Sequence, residues 1–355
     1  MSPNIGRTMS SMGGDGIQSM QDLVNSTAGD YSSIYQSCIK LKRRLYDVPG
    51  MEPFLIDMDF EEQESADDSD IVTSLWNMLR RGFPLLVLYN ALEPKELLSI
   101  PLNTSETKIP KAATFKFLHA CIKDLLMPAS EVFIITDLYG RDTTGFLKVI
   151  KVIDVIIQML KDHGRLLNNN QYDGEADSNK PFVHTHEHVI NEIITSERNY
   201  VSHLDTLQQF KTVCSHNETI IPGDLVHEIF MNLNALVDYQ RRFLIRLEQQ
   251  NVLDQSLQNW GQLFKQYAEG FKIYEPFVAN TARSTVRIQE NWEKIRSLPN
   301  IPAHLQGLVS VDNRALCGFM LKPLQRVTKY PLFLDVSLNQ GIARILGSLT
   351  FGDSN

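Results

Sequence analysis

Closely spaced cysteines are missing from this sequence. Its 355 residues include four cysteines, and they are scattered along the chain as Cys38, Cys121, Cys214 and Cys317. Disulfide frameworks and zinc sites are typically built from cysteines at short, paired spacings. We therefore expect reduced thiols in a cytoplasmic protein, with neither a disulfide core nor a zinc site.

Long apolar runs are missing too. The best candidate, residues 149–160, is interrupted by Lys151 and Asp154, whereas a membrane-spanning helix needs about 20 predominantly apolar residues. Residues 1–33 are rich in Ser, Gly, Met and Asn, and they lack the apolar core of a secretory signal. The sequence thus predicts no transmembrane segment, no secretion and a disordered N-terminus.

An excess of basic residues is also lacking. The chain has 34 Lys and Arg against 42 Asp and Glu, which gives a net charge of -8. Because nucleic acids bind proteins that carry a basic face, we expect no nucleic-acid partner. The one strongly biased stretch is acidic, since residues 57–70 hold eight carboxylates and no base. Such a run predicts a solvated loop, and the alternative is a docking surface for a basic partner.

Motifs of covalent catalysis are absent as well. The sequence has no glycine-rich phosphate loop, no GxSxG elbow and no HExxH. His184, His186 and His188 alternate, but on a helix only His184 and His188 share a face. We therefore expect no metal site, no cofactor and no enzyme of covalent chemistry.

Helical periodicity is what the sequence does have. Apolar residues recur at spacings of three and four, and no useful stretch alternates with a period of two. We therefore predict an all-α protein. Its expected parts are a disordered N-terminus (1–35), a helical domain (36–163), a polar linker (164–182), a second helical domain (183–338) and a divergent tail (339–355).

Individual helices follow from the same pattern. In the first domain we predict helices over 71–92, with a break at Pro84, and over 145–160. Between them, a helix over 115–126 is expected to bury Phe115, Leu118, Cys121, Ile122 and Leu125. The second domain is predicted to be an elongated bundle of longer helices over 184–210, 223–250, 253–294 (broken near Pro276) and 312–336.

The helix that begins near His184 carries two acids in different environments. On a helical wheel of about 100° per residue, Glu197 lies inside the apolar stripe and Glu192 lies at its rim. The stripe is made of Val189, Ile190, Ile193, Ile194, Tyr200, Val201, Leu204 and Leu207. A buried carboxylate must be paired, because an unpaired one costs several kcal/mol. We therefore predict that Glu197 pairs within the bundle, whereas Glu192 is either a solvated acid or a contact to a partner.

The last predicted helix has two distinct faces. Its apolar face is expected to hold Leu316, Met320, Leu324, Val327, Pro331 and Leu334. Lys322, Gln325 and Lys329 share the opposite face, which is either a solvated surface or a binding surface. Arg326 flanks the apolar face, and we predict that it pairs with Glu197, since each otherwise lacks a partner.

Three stretches of the second domain resemble Dbl-homology domains, which catalyse nucleotide exchange on Rho-family GTPases. Residues 319–334 (FMLKPLQRVTKYPLFL) are similar to the third conserved block of that family, and residues 188–204 (HVINEIITSERNYVSHL) to the first. Residues 229–247 resemble the second block and are expected to pack the bundle through Ile229, Leu233, Leu236, Phe243 and Leu247. The resemblance implies that Glu192 reaches the first switch of the GTPase. It also implies that Lys329 contacts the second switch, with Gln325 one turn away and Lys322 on the same face.

Three stretches of the first domain resemble a single calponin-homology domain of the kind found in fungal polarity exchange factors. They are residues 117–121 (FLHAC), 133–139 (FIITDLY) and 148–156 (KVIKVIDVI). The two resemblances together imply a calponin-homology-like domain followed by an elongated Dbl-homology bundle that lacks its last helix.

The function implied is that of a guanine-nucleotide exchange factor for a Rho-family GTPase in cell-polarity signalling. Such a protein forms no covalent bond and needs no cofactor, since nucleotide and Mg²⁺ belong to the GTPase. It would be cytoplasmic, with recruitment to the cell cortex as an option. The alternative is a truncated scaffold whose calponin-homology domain binds actin or a polarity adaptor and which has no exchange activity.

Overall fold

The fold was analysed in a computed structural model, which describes residues 31–64, 70–101, 104–167, 185–254 and 257–331. Within these ranges the regular structure is entirely helical, as predicted. The first part of the chain contains α1 (Ile34–Tyr46), α2 (Glu52–Glu64), α3 (Ile71–Arg80), α4 (Phe83–Asn90), α5 (Ile109–Lys123), α6 (Ile135–Tyr139) and α7 (Thr143–Asp162). The second part contains α8 (Thr185–Ser215), α9 (Gly223–Phe230), α10 (Leu233–Val252), α11 (Trp260–Tyr267), α12 (Tyr274–Glu290), α13 (Trp292–Arg296) and α14 (Arg314–Val327).

Three predictions fall on residues outside the described ranges. They are the disordered N-terminus (residues 1–30), most of the polar linker (168–184) and the divergent tail, which lies within 332–355. None of the helices in the described ranges is long and apolar enough to cross a membrane.

The chain divides into two compact units. Among the described residues, the front unit comprises those between 32 and 194 and between 238 and 269, and the rear unit comprises residue 31 and those between 195 and 237 and between 270 and 331. The front unit therefore includes most of α10 and all of α11, although these helices follow the first seven by a long stretch of sequence. Contacts within the front unit join the two stretches.

The core of the front unit is formed by α1 to α7. The indole ring of Trp76 stacks on Phe146 with ring centroids 4.5 Å apart, and its Nε1 donates a hydrogen bond to the carbonyl oxygen of Leu138 at 2.7 Å. Several helix starts are capped by side chains, which bond to the first N–H groups of a helix because these have no partner within it. Asp70 caps α3 in this way, and Asp142 caps α7.

One face of α10 packs against these front helices. Asp238 accepts a hydrogen bond from the backbone N–H of Thr143 at 2.8 Å, and Ile245 joins the buried apolar cluster. One turn before the end of the helix, Glu248 accepts a hydrogen bond from the hydroxyl of Ser33 at 2.6 Å. These α10 residues follow one another at spacings of seven and three, so they lie along one stripe of the helix.

The rear unit is a bundle in which α12 packs against α9 and α14. Its core is apolar and includes a ring contact between Phe210 and Phe230, whose centroids lie 6.4 Å apart. The residues expected from the second conserved block to pack the bundle are all buried, but they are divided between the units: Ile229, Leu233 and Leu236 lie in the rear unit, whereas Phe243 and Leu247 lie in the front unit.

The prediction of a loop for the acidic run is wrong over residues 57–64, which belong to α2. Two bases from other helices explain the difference. Lys42 of α1 forms an ion pair with Asp59 at 2.5 Å, and Arg81, at the end of α3, pairs with Asp57 and Glu61. Because these bases lie outside the acidic run in the sequence, the run itself gives no indication that its acids are paired.

The buried face predicted for α5 is also partly wrong. Leu118 and Cys121 are buried, but Phe115 is 59% exposed and Ile122 is 41% exposed. The observed buried face consists of Ala113, Thr114, Phe117, Leu118, Ala120 and Cys121, so it is rotated relative to the predicted one.

Two of the long helices predicted for the second domain are divided in the structure, whereas the one predicted over 184–210 extends to Ser215. The predicted 223–250 helix is interrupted at Met231, whose φ of +41° lies in the left-handed region. The predicted 253–294 helix is interrupted by the 3₁₀ turn Ala268–Ile273, and Pro276 follows in the first turn of α12. A proline is tolerated there because its missing N–H would have no helical partner.

Candidate functional site

Helix α8 presents its two acids as predicted from the helical wheel. Glu192 is exposed, whereas Glu197 is fully buried at 0% exposure. The stripe around Glu197 is apolar, because Ile193, Ile194 and Val201 are buried on the same helix. An ionised carboxylate in such surroundings requires strong hydrogen-bond donors.

The structure brings Arg326 and Glu197 together. Arg326 Nε lies 3.0 Å from Glu197 Oε2, and Nη2 of the same guanidinium also donates to Oε2. The third guanidinium nitrogen, Nη1, donates to the hydroxyl of Ser196 at 3.0 Å. Burial tends to lower the pKa of Arg326, but the adjacent Glu197 carboxylate outweighs it and raises the pKa above its usual value. The pair is therefore ionic.

Tyr330 is a second donor to the same carboxylate. Its hydroxyl lies 3.1 Å from Glu197 Oε1 and 3.2 Å from Oε2. Burial raises the pKa of Tyr330 well above its usual value, and the charge of Glu197 raises it further, so the phenol stays protonated and acts as a donor. The guanidinium of Arg326 lies over the Tyr330 ring at 5.1 Å from the centroid, a cation–π geometry.

Two further tyrosines complete the buried cluster. The Tyr274 hydroxyl lies 3.1 Å from that of Tyr200, and Arg326 lies 6.0 Å from the Tyr200 ring centroid. Sequence analysis placed Tyr200 in the apolar stripe of α8 but missed Tyr274 and Tyr330, and it assigned none of the three tyrosines to this cluster. Spacing is the signal that could have found two of them, because Tyr200 follows Glu197 by three residues and Tyr330 follows Arg326 by four.

The buried face of helix α14 differs from the one predicted from the helical wheel. Leu316 and Met320 are buried as expected, but Leu324 is 36% exposed, Val327 is half-buried and Pro331 is exposed; Leu334 lies outside the described ranges. The observed buried face consists of Leu316, Phe319, Met320, Pro323 and Arg326. The wheel treated Arg326 as a flanking polar residue, whereas its contact with Glu197 places it inside the face.

The remaining predicted residues, Lys322 and Gln325 of α14 and Lys329 in the turn that follows it, lie outside that buried face. Gln325 and Lys329 are exposed, and Lys322 is half-buried. Partial burial lowers the pKa of Lys322, and the positive charge of Lys329 lowers it further.

No cluster of metal-binding side chains occurs in the described part of the chain. His184 lies outside that part, and the side chains of His186 and His188 are not described either.

Two sequence models of known domain families match this chain. The CDC24 calponin model matches residues 70–157, and the RhoGEF domain model matches residues 189–340. The second match contains the whole buried cluster and the exposed residues of α14.

Known proteins with similar sequences include two fungal exchange factors. The Rho guanine nucleotide exchange factor scd1 of Schizosaccharomyces pombe is 26% identical over 85% of this chain and 36% of its own length. Cell division control protein 24 of Saccharomyces cerevisiae is 26% identical over 81% of this chain and 34% of its own length. This chain thus spans about a third of the length of these relatives.

Among solved structures, Vav1 bound to an allosteric inhibitor overlaps with a TM-score of 0.34 at 19% identity, over 86% of this chain and 60% of that one. A likeness at this level supports no further argument. The sequence matches, by contrast, support a conclusion. The chain carries a CDC24-type calponin domain followed by a RhoGEF (Dbl-homology) domain, and it is homologous to the fungal exchange factors scd1 and cell division control protein 24.

Proposed function

We propose that this chain is a guanine-nucleotide exchange factor that stimulates GDP release from a Rho-family GTPase in cell-polarity signalling. The observation that carries the proposal is the exposed surface of α14. Within the segment matched by the RhoGEF model, Gln325 and Lys329 are exposed while their neighbour Arg326 is buried on Glu197. An exposed polar surface on a rigid support is what a protein-binding site requires.

Exchange of this kind needs no covalent step. The factor binds the nucleotide-free GTPase more tightly than the loaded form, and by linkage the nucleotide and the factor weaken each other by the same ratio. In this proposal Lys329 and Gln325 hold the second switch of the GTPase, supported by Lys322. Glu192 contacts the first switch. The rearranged switches then loosen Mg²⁺ and GDP, both of which belong to the GTPase.

The direct test is release of fluorescent GDP from a panel of Rho-family GTPases in the presence of the full chain. We expect acceleration with at least one member of the panel. Glu192→Ala and Lys329→Ala should each abolish it while leaving the far-ultraviolet circular dichroism unchanged. Glu293, an exposed acid of α13, supplies a matched control, and Glu293→Ala should retain full activity. If no member of the panel releases GDP faster, the proposal is wrong.

A second candidate function is that of a scaffold whose calponin domain binds actin or a polarity adaptor at the cell cortex. The observation that favours it is the outward position of Phe115 and Ile122 on α5, at 59% and 41% exposure. Apolar side chains of this size on a helix surface are typical of protein contacts. Co-sedimentation with actin filaments that is lost in Phe115→Ala, together with no effect on GDP release, would support this function over exchange.

A further inference from the structure

Lys329 does not lie in a regular helix. Helix α14 ends at Val327, and the backbone N–H of Lys329 bonds to the carbonyl oxygen of Arg326 at 3.0 Å, which closes a tight turn. The hydroxyl of Thr328 caps the same end by donating to the carbonyl oxygens of Leu324 and Gln325 at 3.3 and 3.1 Å. The position of Lys329 is therefore set by its turn and not by continuation of the helix.

Both ends of this turn are fixed to one carboxylate. Arg326, three residues before Lys329, donates to Glu197 Oε2, and Tyr330, the next residue along the chain, donates to both oxygens of Glu197. The two anchors are 5% exposed. A turn held at both ends has fewer accessible backbone conformations than a turn held at one end, so its exposed side chain projects in a narrower range of directions.

The ring and the hydroxyl of Tyr330 have separable roles. The ring packs against Phe271, with centroids 5.0 Å apart, and lies under the Arg326 guanidinium. The hydroxyl alone makes the bond to Glu197. Removal of the hydroxyl therefore leaves the packing of the ring and the Arg326–Glu197 hydrogen bonds in place, while it removes the bond to Glu197 and the hydroxyl's contact with Arg326.

We propose that Tyr330 is a positioning residue for Lys329, acting through its hydroxyl bond to Glu197. The inference rests on the proposed function, in which Lys329 contacts the GTPase. The bond holds the lysine in its binding direction before the GTPase arrives, so that less conformational freedom is lost on binding. This is the general advantage of a preorganised site.

The decisive measurement is a double-mutant cycle on the Kd for nucleotide-free GTPase, with the full chain. Tyr330→Phe alone should weaken binding about tenfold, the loss expected when a side chain loses a charge-assisted hydrogen bond that fixes it. In a Lys329→Ala background the same substitution should change the Kd by less than about twofold, because the group it positions is gone. In a Glu192→Ala background, Tyr330→Phe should still weaken binding about tenfold, because Glu192 lies on α8 and does not depend on the turn that holds Lys329.

A matched control separates positioning from a general loss of stability. Tyr89 is a buried tyrosine of the front unit whose hydroxyl donates to Asp124 at 2.9 Å. Tyr89→Phe removes a comparable bond, and it should leave the Kd for nucleotide-free GTPase unchanged.

The outcomes are distinguishable. An equal loss from Tyr330→Phe with and without Lys329 would show that the tyrosine is merely structural and would overturn the inference. No effect of Tyr330→Phe on the Kd would overturn it as well, while the proposed function stands. If the unaltered chain binds no nucleotide-free Rho-family GTPase, both proposals fall together.

Discussion

Arg326 and Glu197 form an ion pair inside the rear unit, with Arg326 Nε 3.0 Å from Glu197 Oε2. Their side chains are 5% and 0% exposed. The two residues are 129 positions apart in sequence, so the contact ties α8 to α14. A pair with this burial is costly to break from one side, because the remaining charge loses its partner in an apolar environment.

Charge reversal at one member of this pair should unfold the rear unit. Glu197→Lys places two cations side by side, and we expect a loss of about 3–5 kcal/mol in the free energy of unfolding. The double variant Glu197→Lys with Arg326→Glu should regain part of that loss. Urea denaturation followed by circular dichroism measures both. Glu293→Lys is the control, since the pair of Glu293 with Arg296 is exposed and should contribute less than about 1 kcal/mol. Equal losses for the single and double variants would contradict the pairing.

Ser33 should stabilise the front unit through two hydrogen bonds at once. Its hydroxyl caps α1 by accepting from the N–H of Gln36 at 3.1 Å, and it donates to the buried Glu248 at 2.6 Å. Ser33→Ala removes a helix cap and a bond to a carboxylate, so we expect destabilisation of about 2–4 kcal/mol.

The adjacent residue supplies the control for this prediction. The hydroxyl of Ser32 is buried and finds no hydrogen-bond partner within the described part of the chain. Ser32→Ala should therefore be neutral or slightly stabilising in the same urea titration. A similar loss at both serines would show that the bond to Glu248 contributes nothing.

The sequence predicted where the helices lie better than it predicted which face of each helix is buried. Helices were predictable because apolar residues at spacings of three and four favour no other regular structure. The contact of Glu197 with Arg326 could be anticipated, since a carboxylate within an apolar stripe needs a partner and Arg326 flanks the apolar face of its own helix. The spacing of Tyr330 from Arg326 indicates that the two side chains are close, but it does not show that the hydroxyl bonds to Glu197, because an aromatic residue at that spacing fits an ordinary core equally well.

Two of the wrong predictions involve contacts between residues that are distant in sequence. Acids of α2 form ion pairs with Lys42 and Arg81, which lie outside the acidic run. On α14, the contact with Glu197 places Arg326 inside the buried face. Local periodicity carries no record of either contact.

Gly82 should be the least replaceable glycine at a helix start. It precedes α4 with a φ of +80°, and a Cβ atom there would lie 2.5 Å from the carbonyl oxygen of Pro110. Gly82→Ala therefore combines left-handed backbone strain with a steric clash, and we expect a loss of about 3 kcal/mol or more in unfolding free energy. Gly164 has a φ of +64° but open space around it, so Gly164→Ala should cost only about 1–2 kcal/mol. Thermal unfolding measures the loss of stability in each variant. Equal losses in the two variants would contradict the steric clash predicted at Gly82.

His203 should make the rear unit sensitive to acid. Its ring is buried edge-on against Phe319, with centroids 5.2 Å apart. Burial lowers its pKa to about 4, with a further contribution from the positive charge of Lys322. In the unfolded chain a histidine has a pKa of about 6.5. Between these values the unfolded state binds more protons than the folded state, so the stability contribution of His203 is complete above about pH 6.5 and is lost as the pH falls toward 4.

The loss can be as large as about 3 kcal/mol, since each pKa unit corresponds to about 1.4 kcal/mol. His203→Gln removes the titrating group, so the difference in unfolding free energy between the unaltered chain and this variant should shrink as the pH is lowered from 7 to 4.5. Carboxylates titrate in both proteins and cancel in that difference. A constant difference for His203→Gln across this range would mean that the imidazole binds protons equally in the folded and unfolded states despite its burial.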